Sequence, residues 1–129
     1  MKSERLVLDT DIVIDLLKKK REVVSRFLAL VASQTVFLIN PIVVAEVYAG
    51  AFAREYKDIE GLFDLCQRIE TDIETGRLAG LNANRYSKAF QGISLEDYFL
   101  AATARAQRCP LWTGNRKHYP MDDIELFAG

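Results

Sequence analysis

Arg5-Leu6-Val7-Leu8-Asp9-Thr10-Asp11-Ile12 sets the pattern for the rest of the chain. The first four residues read as a short buried strand that ends at Asp9. The period then changes, because Ile12, Leu16 and Leu17 fall at helical spacing and predict a helix over 11–19. Lys18 to Arg21 form a polar break, and Val23, Val24, Phe27, Leu28 and Val31 mark a second helix over 22–33. The pattern then repeats. Thr35-Val36-Phe37-Leu38-Ile39 is a β-branched, apolar strand, and Asn40-Pro41 starts a helix that runs to about Arg54. Asn suits the cap, and Pro suits the first turn, where its missing N–H costs nothing.

Further along, a helix over roughly 58–67 carries Leu62, Leu65 and Cys66 on one face, and Arg68-Ile69-Glu70 reads as a short strand. A long helix is expected over 72–91, and Ser94 caps another that ends near Gln107. Pro110 to Thr113 is a strand, and Ile124 to Phe127 is expected to be the last. Short apolar strands alternating with helices favour a parallel sheet covered on both faces. In such open sheets the working residues gather at the carboxyl ends of the strands. Asp9, Asn40 and Thr113 all stand at such ends.

The 129 residues fit one domain, 1–129. A chain of this size buries roughly two-thirds of its unfolded surface and needs no staple. Half of it is apolar and 27% charged, which excludes a disordered or low-complexity chain. Cys66 and Cys109 lack disulfide-framework or zinc-ligand spacing, and no run approaches the 18 apolar residues of a spanning helix. The expectation is a reduced, cytoplasmic protein without a membrane partner.

The net charge of −1 is not that of a simple electrostatic nucleic-acid binder, but the charge is patchy. Residues 55–74 hold seven acids against Lys57 and Arg68. Lys18, Lys19, Lys20 and Arg21 form a basic block. Residues 105–119 hold Arg105, Arg108, Arg116, Lys117 and His118 with no acid. Each run reads either as a solvated face or as a strip for phosphates, whose counterions it would release.

Among the acids, position says more than number. Asp9 reads as a helix N-cap, or as a carboxylate fixed on a strand end and suited to a hard cation. Glu46 lies on an apolar helical stripe with Ile42, Val43, Ala49 and Gly50 as its neighbours. There it must be paired, protonated, bound to metal or opened to water by a cleft or stripe edge. Ser94-Leu95-Glu96-Asp97 fits a capping box. Helical spacing does not separate Asp97 from Glu96.

The order of these pieces resembles the PIN-domain ribonucleases, and most of all the VapC toxins of VapB–VapC toxin–antitoxin pairs. The resemblance is carried by Leu6-Val7-Leu8-Asp9-Thr10-Asp11 and Val44-Ala45-Glu46-Val47. It continues through Leu95-Glu96-Asp97-Tyr98-Phe99-Leu100-Ala101-Ala102-Thr103-Ala104 and Leu111-Trp112-Thr113-Gly114-Asn115-Arg116-Lys117-His118-Tyr119. It implies a PIN-like three-layer sandwich, a short, mostly parallel sheet flanked by helices. By position it assigns the family's three central acids to Asp9, Glu46 and Asp97, as metal ligands and catalytic groups. The fourth polar site falls on the neutral Asn115, with a place on a bound water or the phosphate, beside Thr113. Asp11 stands where the family frequently has Asn or Ser, and the roles of Asp11, Thr113 and His118 stay open.

The implied chemistry is Mg²⁺- or Mn²⁺-dependent hydrolysis of RNA phosphodiester bonds. The ion would polarise the phosphoryl oxygen and ready a water for attack. The implied partners are an RNA substrate, a VapB-like antitoxin and a second copy in a homodimer. Two other readings compete. Asp9-Thr10-Asp11-Ile12-Val13 fits the opening motif of haloacid-dehalogenase-like phosphohydrolases, with Asp9 as nucleophile. A catalytically weak partner-binding subunit is the third, which the intact acids argue against.

Overall fold

The computed structural model describes residues 4–128. Among them, four parallel strands form one sheet in the order β3-β2-β1-β4. These are β1 (Arg5–Leu8), β2 (Val36–Ile39), β3 (Gln67–Arg68) and β4 (Leu111–Trp112). In β1, Leu6, Val7 and Leu8 are all fully buried. Successive strand residues point to opposite faces, so helices cover the sheet on both sides. Leu6 pairs with Phe37 and Val7 with Leu38, while Val7 and Leu8 pair with Leu111 and Trp112 on the other flank. This is the expected α/β, PIN-like sandwich.

The helices are α1 (Thr10–Leu17), α2 (Arg21–Ala32), α3 (Pro41–Ala49), α4 (Tyr56–Phe63), α5 (Ile73–Tyr86) and α6 (Leu95–Gln107). Their starts follow the caps. Asn40 accepts from Val43 N at 2.9 Å with Pro41 just inside α3, and Asp72 accepts from Thr75 N at 2.8 Å. Ser94 and Asp97 form the capping box of α6.

Several boundaries differ from the sequence expectation. The α3 helix stops at Ala49 rather than near Arg54, because Gly50 ends it, and a separate 3-10 turn occupies Ala53–Glu55. Helix α4 ends at Phe63, ahead of the expected 67, because β3 begins at Gln67 to pair with Leu38. Helix α5 ends at Tyr86 rather than 91. The expected strand Ile124–Phe127 is reduced to one parallel bridge between Leu111 and Leu126, since two-residue β4 offers little ladder to extend. No helix among the described residues is long and apolar enough to cross a membrane.

Candidate active site

The chain leaves β1, adds β2 and β3 on one side, and returns to place β4 on the other. The order therefore reverses between β1 and β4, and the carboxyl ends of those two strands flank the crevice where open α/β sheets bind ligands. Asp9 is the residue after β1, and Thr113 is the residue after β4. The Asp9 N–H donates to Trp112 O at 3.0 Å, which closes the two strand ends together.

Asp9 is 6% exposed, and each of its oxygens is held. Oδ1 accepts from Thr10 N at 2.6 Å as the cap of α1. Oδ2 accepts from Thr113 Oγ1 at 2.6 Å, and Asn115 N donates back to that hydroxyl at 2.9 Å. The buried Tyr119 hydroxyl lies 2.9 Å from Asp9 Oδ2 and 3.3 Å from Asp97 Oδ1. One phenolic oxygen thus stands between two carboxylates that are 88 positions apart in the chain. It has one proton to donate, so it serves one carboxylate at a time and leaves the other short of positive charge. Burial, then the charges of Asp9 and Asp97, push the Tyr119 pKa far upward, which keeps the hydroxyl a donor.

Asp97 keeps its capping role as well. Its Oδ2 accepts from Ser94 N at 3.2 Å and lies 3.0 Å from His118 Nδ1. The capping box and the inward-facing carboxylate are therefore the same group. Glu96, its neighbour, is exposed.

Glu46 sits on the exposed edge of α3, so water reaches the stripe that the sequence left ambiguous. Thr10 Oγ1 donates to its Oε1 at 2.7 Å and turns it toward the first turn of α1. Its pKa is raised, first by burial, with Asp9, Glu96 and Asp97 adding to the rise and the Thr10 bond opposing it. Asp9, Glu46 and Asp97 are therefore within electrostatic reach of one another.

Asp11 joins this group. Its Oδ2 accepts from Gly114 N at 2.9 Å, tying α1 to the loop that carries Thr113 and Asn115. Its Oδ1 is buried without a partner. Burial and then the Asp9 charge raise its pKa to about 6. A Cβ on Gly114 would stand 2.6 Å from Asp11 Oδ2, so a side chain there would push the Asp11 carboxylate out of this contact. Asn115 presents an exposed side chain on the same loop. Asn40 is not part of the group: it is 1% exposed and spends its amide on the α3 cap and on Thr103 Oγ1 at 3.1 Å.

Among the described residues, no three carboxylate, imidazole or thiol groups form a ready cage for an ion. The donor set still fits Mg²⁺ or Mn²⁺. It is all oxygen, the Asp9 charge raises the proton affinity of both Asp11 and Glu46, and a buried Asp11 oxygen lacks a donor. Mg²⁺ typically keeps several waters and binds through one or two carboxylates plus substrate phosphate, so a closed cage is not needed.

The haloacid-dehalogenase-like reading finds no support. Asp123 pairs with Arg105 at 3.2 Å and Asp122 lies 3.4 Å from the Tyr86 hydroxyl, so the late acidic pair is engaged elsewhere.

Sequence reasoning missed Tyr119 and Thr10 as functional groups. Thr10 carried a usable signal, as a hydroxyl one residue from a strand-end acid. Tyr119 carried none, because an aromatic residue after a loop reads as core.

A family model described as the PIN domain matches residues 6–124. Ribonuclease VapC19 of Mycobacterium tuberculosis is 28% identical over 115 residues, covering 89% of this chain and 92% of that protein. The structure of VapBC2 from Rickettsia felis, bound to a DNA fragment from its promoter, contains a chain of the same fold. It superposes with a TM-score of 0.83 at 20% identity, over 95% of this chain and 97% of that one. A chain of the DNA-bound VapBC of Salmonella typhimurium gives a TM-score of 0.80 at 19% identity, over 96% and 97%.

Proposed function

The chain belongs to the PIN-domain family, and from that premise we propose that it is a Mg²⁺- or Mn²⁺-dependent endoribonuclease, the toxin of a VapBC-like toxin–antitoxin pair. One observation carries the reading: Asp9 and Asp97 meet at the Tyr119 hydroxyl, at the carboxyl ends of β1 and β4. The likeness to ribonuclease VapC19 along 89% of the chain supplies the substrate class.

A divalent ion would supply positive charge to the phosphoryl group and acidify water in the site. Asp9, Asp97 and Glu46 are the residues that would hold it. Thr113 and Tyr119 fix the Asp9 carboxylate before substrate arrives, so little of the site must reorganise during reaction. Glu46 is exposed, turned inward by Thr10, and has a raised proton affinity, which suits it to take the proton released by the attacking water. Asn115 adds hydrogen bonds to the phosphate without adding charge. His118 keeps Asp97 in place.

The antitoxin has a matching surface. Ile14, Leu17, Val47, Gly50, Ala51 and Ile59 line a depression between α1, α3 and α4, with the charged Lys18, Glu46 and Glu55 also on its wall. An amphipathic antitoxin segment laid there would cover Glu46, so binding and inhibition would be one event. Val47 and Ile59 are buried in the core and form the floor of the depression, while Ile12, Leu16, Phe27 and Val43 lie wholly within the core. A second copy of the chain would cover exposed apolar residues such as Ile73 and Leu81 on α5.

Induced expression tests the proposal. The chain alone should arrest growth, Asp97→Asn should not, and co-expression of the adjacent small gene product should restore growth. A wild-type chain that leaves growth and cellular RNA unchanged contradicts the toxin assignment.

A further inference from the structure

The basic run at 105–119 is contiguous in sequence but divided in space. Arg105 and Arg108 precede β4, while Arg116 and Lys117 follow it, so the two pairs stand at opposite ends of that strand. Arg105 is spent on Asp123, and Arg108 is the left-handed cap of α6. Arg116 lies three positions past Thr113, on the active-site side. Its Nη1 donates to Phe127 O at 3.2 Å.

Phe127 also receives a cation from a different element. The guanidinium of Arg26, on α2, lies over its ring at 5.4 Å from the centroid. The same ring meets Trp112 edge-on at 5.6 Å, and Trp112 is the residue before Thr113. Arg26 and Arg116 therefore converge on one residue, which packs on Trp112, whose carbonyl accepts from Asp9 N. Arg26, Arg116 and Lys117 are all exposed, and among the described residues none of them forms an ion pair.

We infer that Arg26, Arg116 and Lys117 form a phosphate-binding strip that guides the RNA backbone to the Asp9–Asp97 site; this rests on the ribonuclease reading above. A cluster of carboxylates repels a polyanion, so a substrate phosphate needs cations beside it to approach. The strip supplies them in a held form. The Phe127 ring and carbonyl each orient one guanidinium and leave its remaining N–H groups for phosphate oxygens. The charge across the sheet has the matching polarity. The acidic stretch 55–74 runs through α4 and β3, at the edge opposite β4. A polyanion is thus turned away from the β3 edge and toward the β4 edge.

Each cation on a single-stranded backbone contributes about 0.7 to the slope of log affinity against log salt. Its loss should weaken binding about five- to tenfold near 50 mM salt. The test uses the full chain in EDTA, a fluorescein-labelled single-stranded RNA of mixed sequence, and anisotropy across a potassium chloride series. Arg26→Gln and Arg116→Gln should each weaken binding by that factor and flatten the salt slope by about 0.7. Arg105→Gln and Arg108→Gln should bind as the wild type does.

Wild-type affinity and slope in Arg26→Gln and Arg116→Gln overturn the strip. An equal loss in Arg105→Gln or Arg108→Gln overturns it too, and so does tighter binding of duplex DNA through the same residues. Adding Mn²⁺ to the same samples separates the two ideas. RNA bound through the strip but never cut leaves the strip and sinks the ribonuclease reading. RNA cut normally by variants with unchanged affinity does the reverse.

Discussion

Replacing Tyr119 with phenylalanine removes one oxygen from the centre of the site and keeps the ring that fills the core. The residue is 4% exposed, so water cannot readily take the place of the lost hydroxyl. Of its two contacts, 2.9 Å to Asp9 Oδ2 and 3.3 Å to Asp97 Oδ1, the shorter is the stronger hydrogen bond. A hydrogen bond to a charged acceptor contributes about 1.5–3 kcal/mol, and Thr113 still donates to Asp9 Oδ2. The net cost to stability should therefore be about 1–2 kcal/mol. The larger effect should fall on ion binding, because groups that orient a metal ligand typically contribute about 10–100-fold in affinity. Calorimetric titration with Mn²⁺ should show that loss, and single-turnover RNA cleavage at fixed Mn²⁺ should slow with it. A folded Tyr119→Phe protein with wild-type Mn²⁺ affinity and rate would show that the hydroxyl does not organise the carboxylates.

Other substitutions probe neighbouring contacts. In Asp11 the folded pKa is raised from 3.8 to about 6, so its favourable protonated form is fully present below about pH 4 and lost as pH rises through about 6. Asp11→Asn should therefore stabilise the fold at pH 7 by about 1 kcal/mol after solvent screening, and hardly at all near pH 4; equal gains in thermal midpoint at both would refute this. Gly114→Ala should cost about 1–3 kcal/mol in denaturant unfolding because its Cβ would meet Asp11, and adding Asp11→Ala should recover part of the loss; strict additivity would contradict the clash. Asn115→Ala should slow cleavage while Mn²⁺ still raises the thermal midpoint, since the charge of the site is unchanged. Loss of that rise as complete as in Asp9→Asn would reorder the ligands.

The strands and helix starts were legible because their causes are local. Leu6 to Leu8 form a continuous apolar run, and Asn40-Pro41 and Ser94 carry their own caps. Helix ends were less legible, since Gly50 stops α3 where apolar periodicity would carry it onward. The expected strand at 124–127 depends on how much of β4 is available to pair, which its own residues do not state. The site divides in the same way. Asp9 and Thr113 could be placed because strand ends are where such sheets work. Glu46 could not be resolved between core and water, because its exposure depends on how α3 lies against α1. The bridge made by Tyr119 arises only when the loop after β4 folds back between Asp9 and Asp97. The basic run stayed ambiguous in the sequence because β4 passes through it and sends its two halves to opposite ends.

Cleavage of an end-labelled, unstructured RNA by the purified chain tests the central claim most directly. With Mn²⁺ or Mg²⁺ the wild type should produce internal cuts, and excess EDTA should stop them. Asp9→Asn and Asp97→Asn should each lose at least about 10–100-fold in rate, the loss expected even from groups that only support a ligand. Undiminished cutting in EDTA, or by Asp97→Asn, would contradict the account.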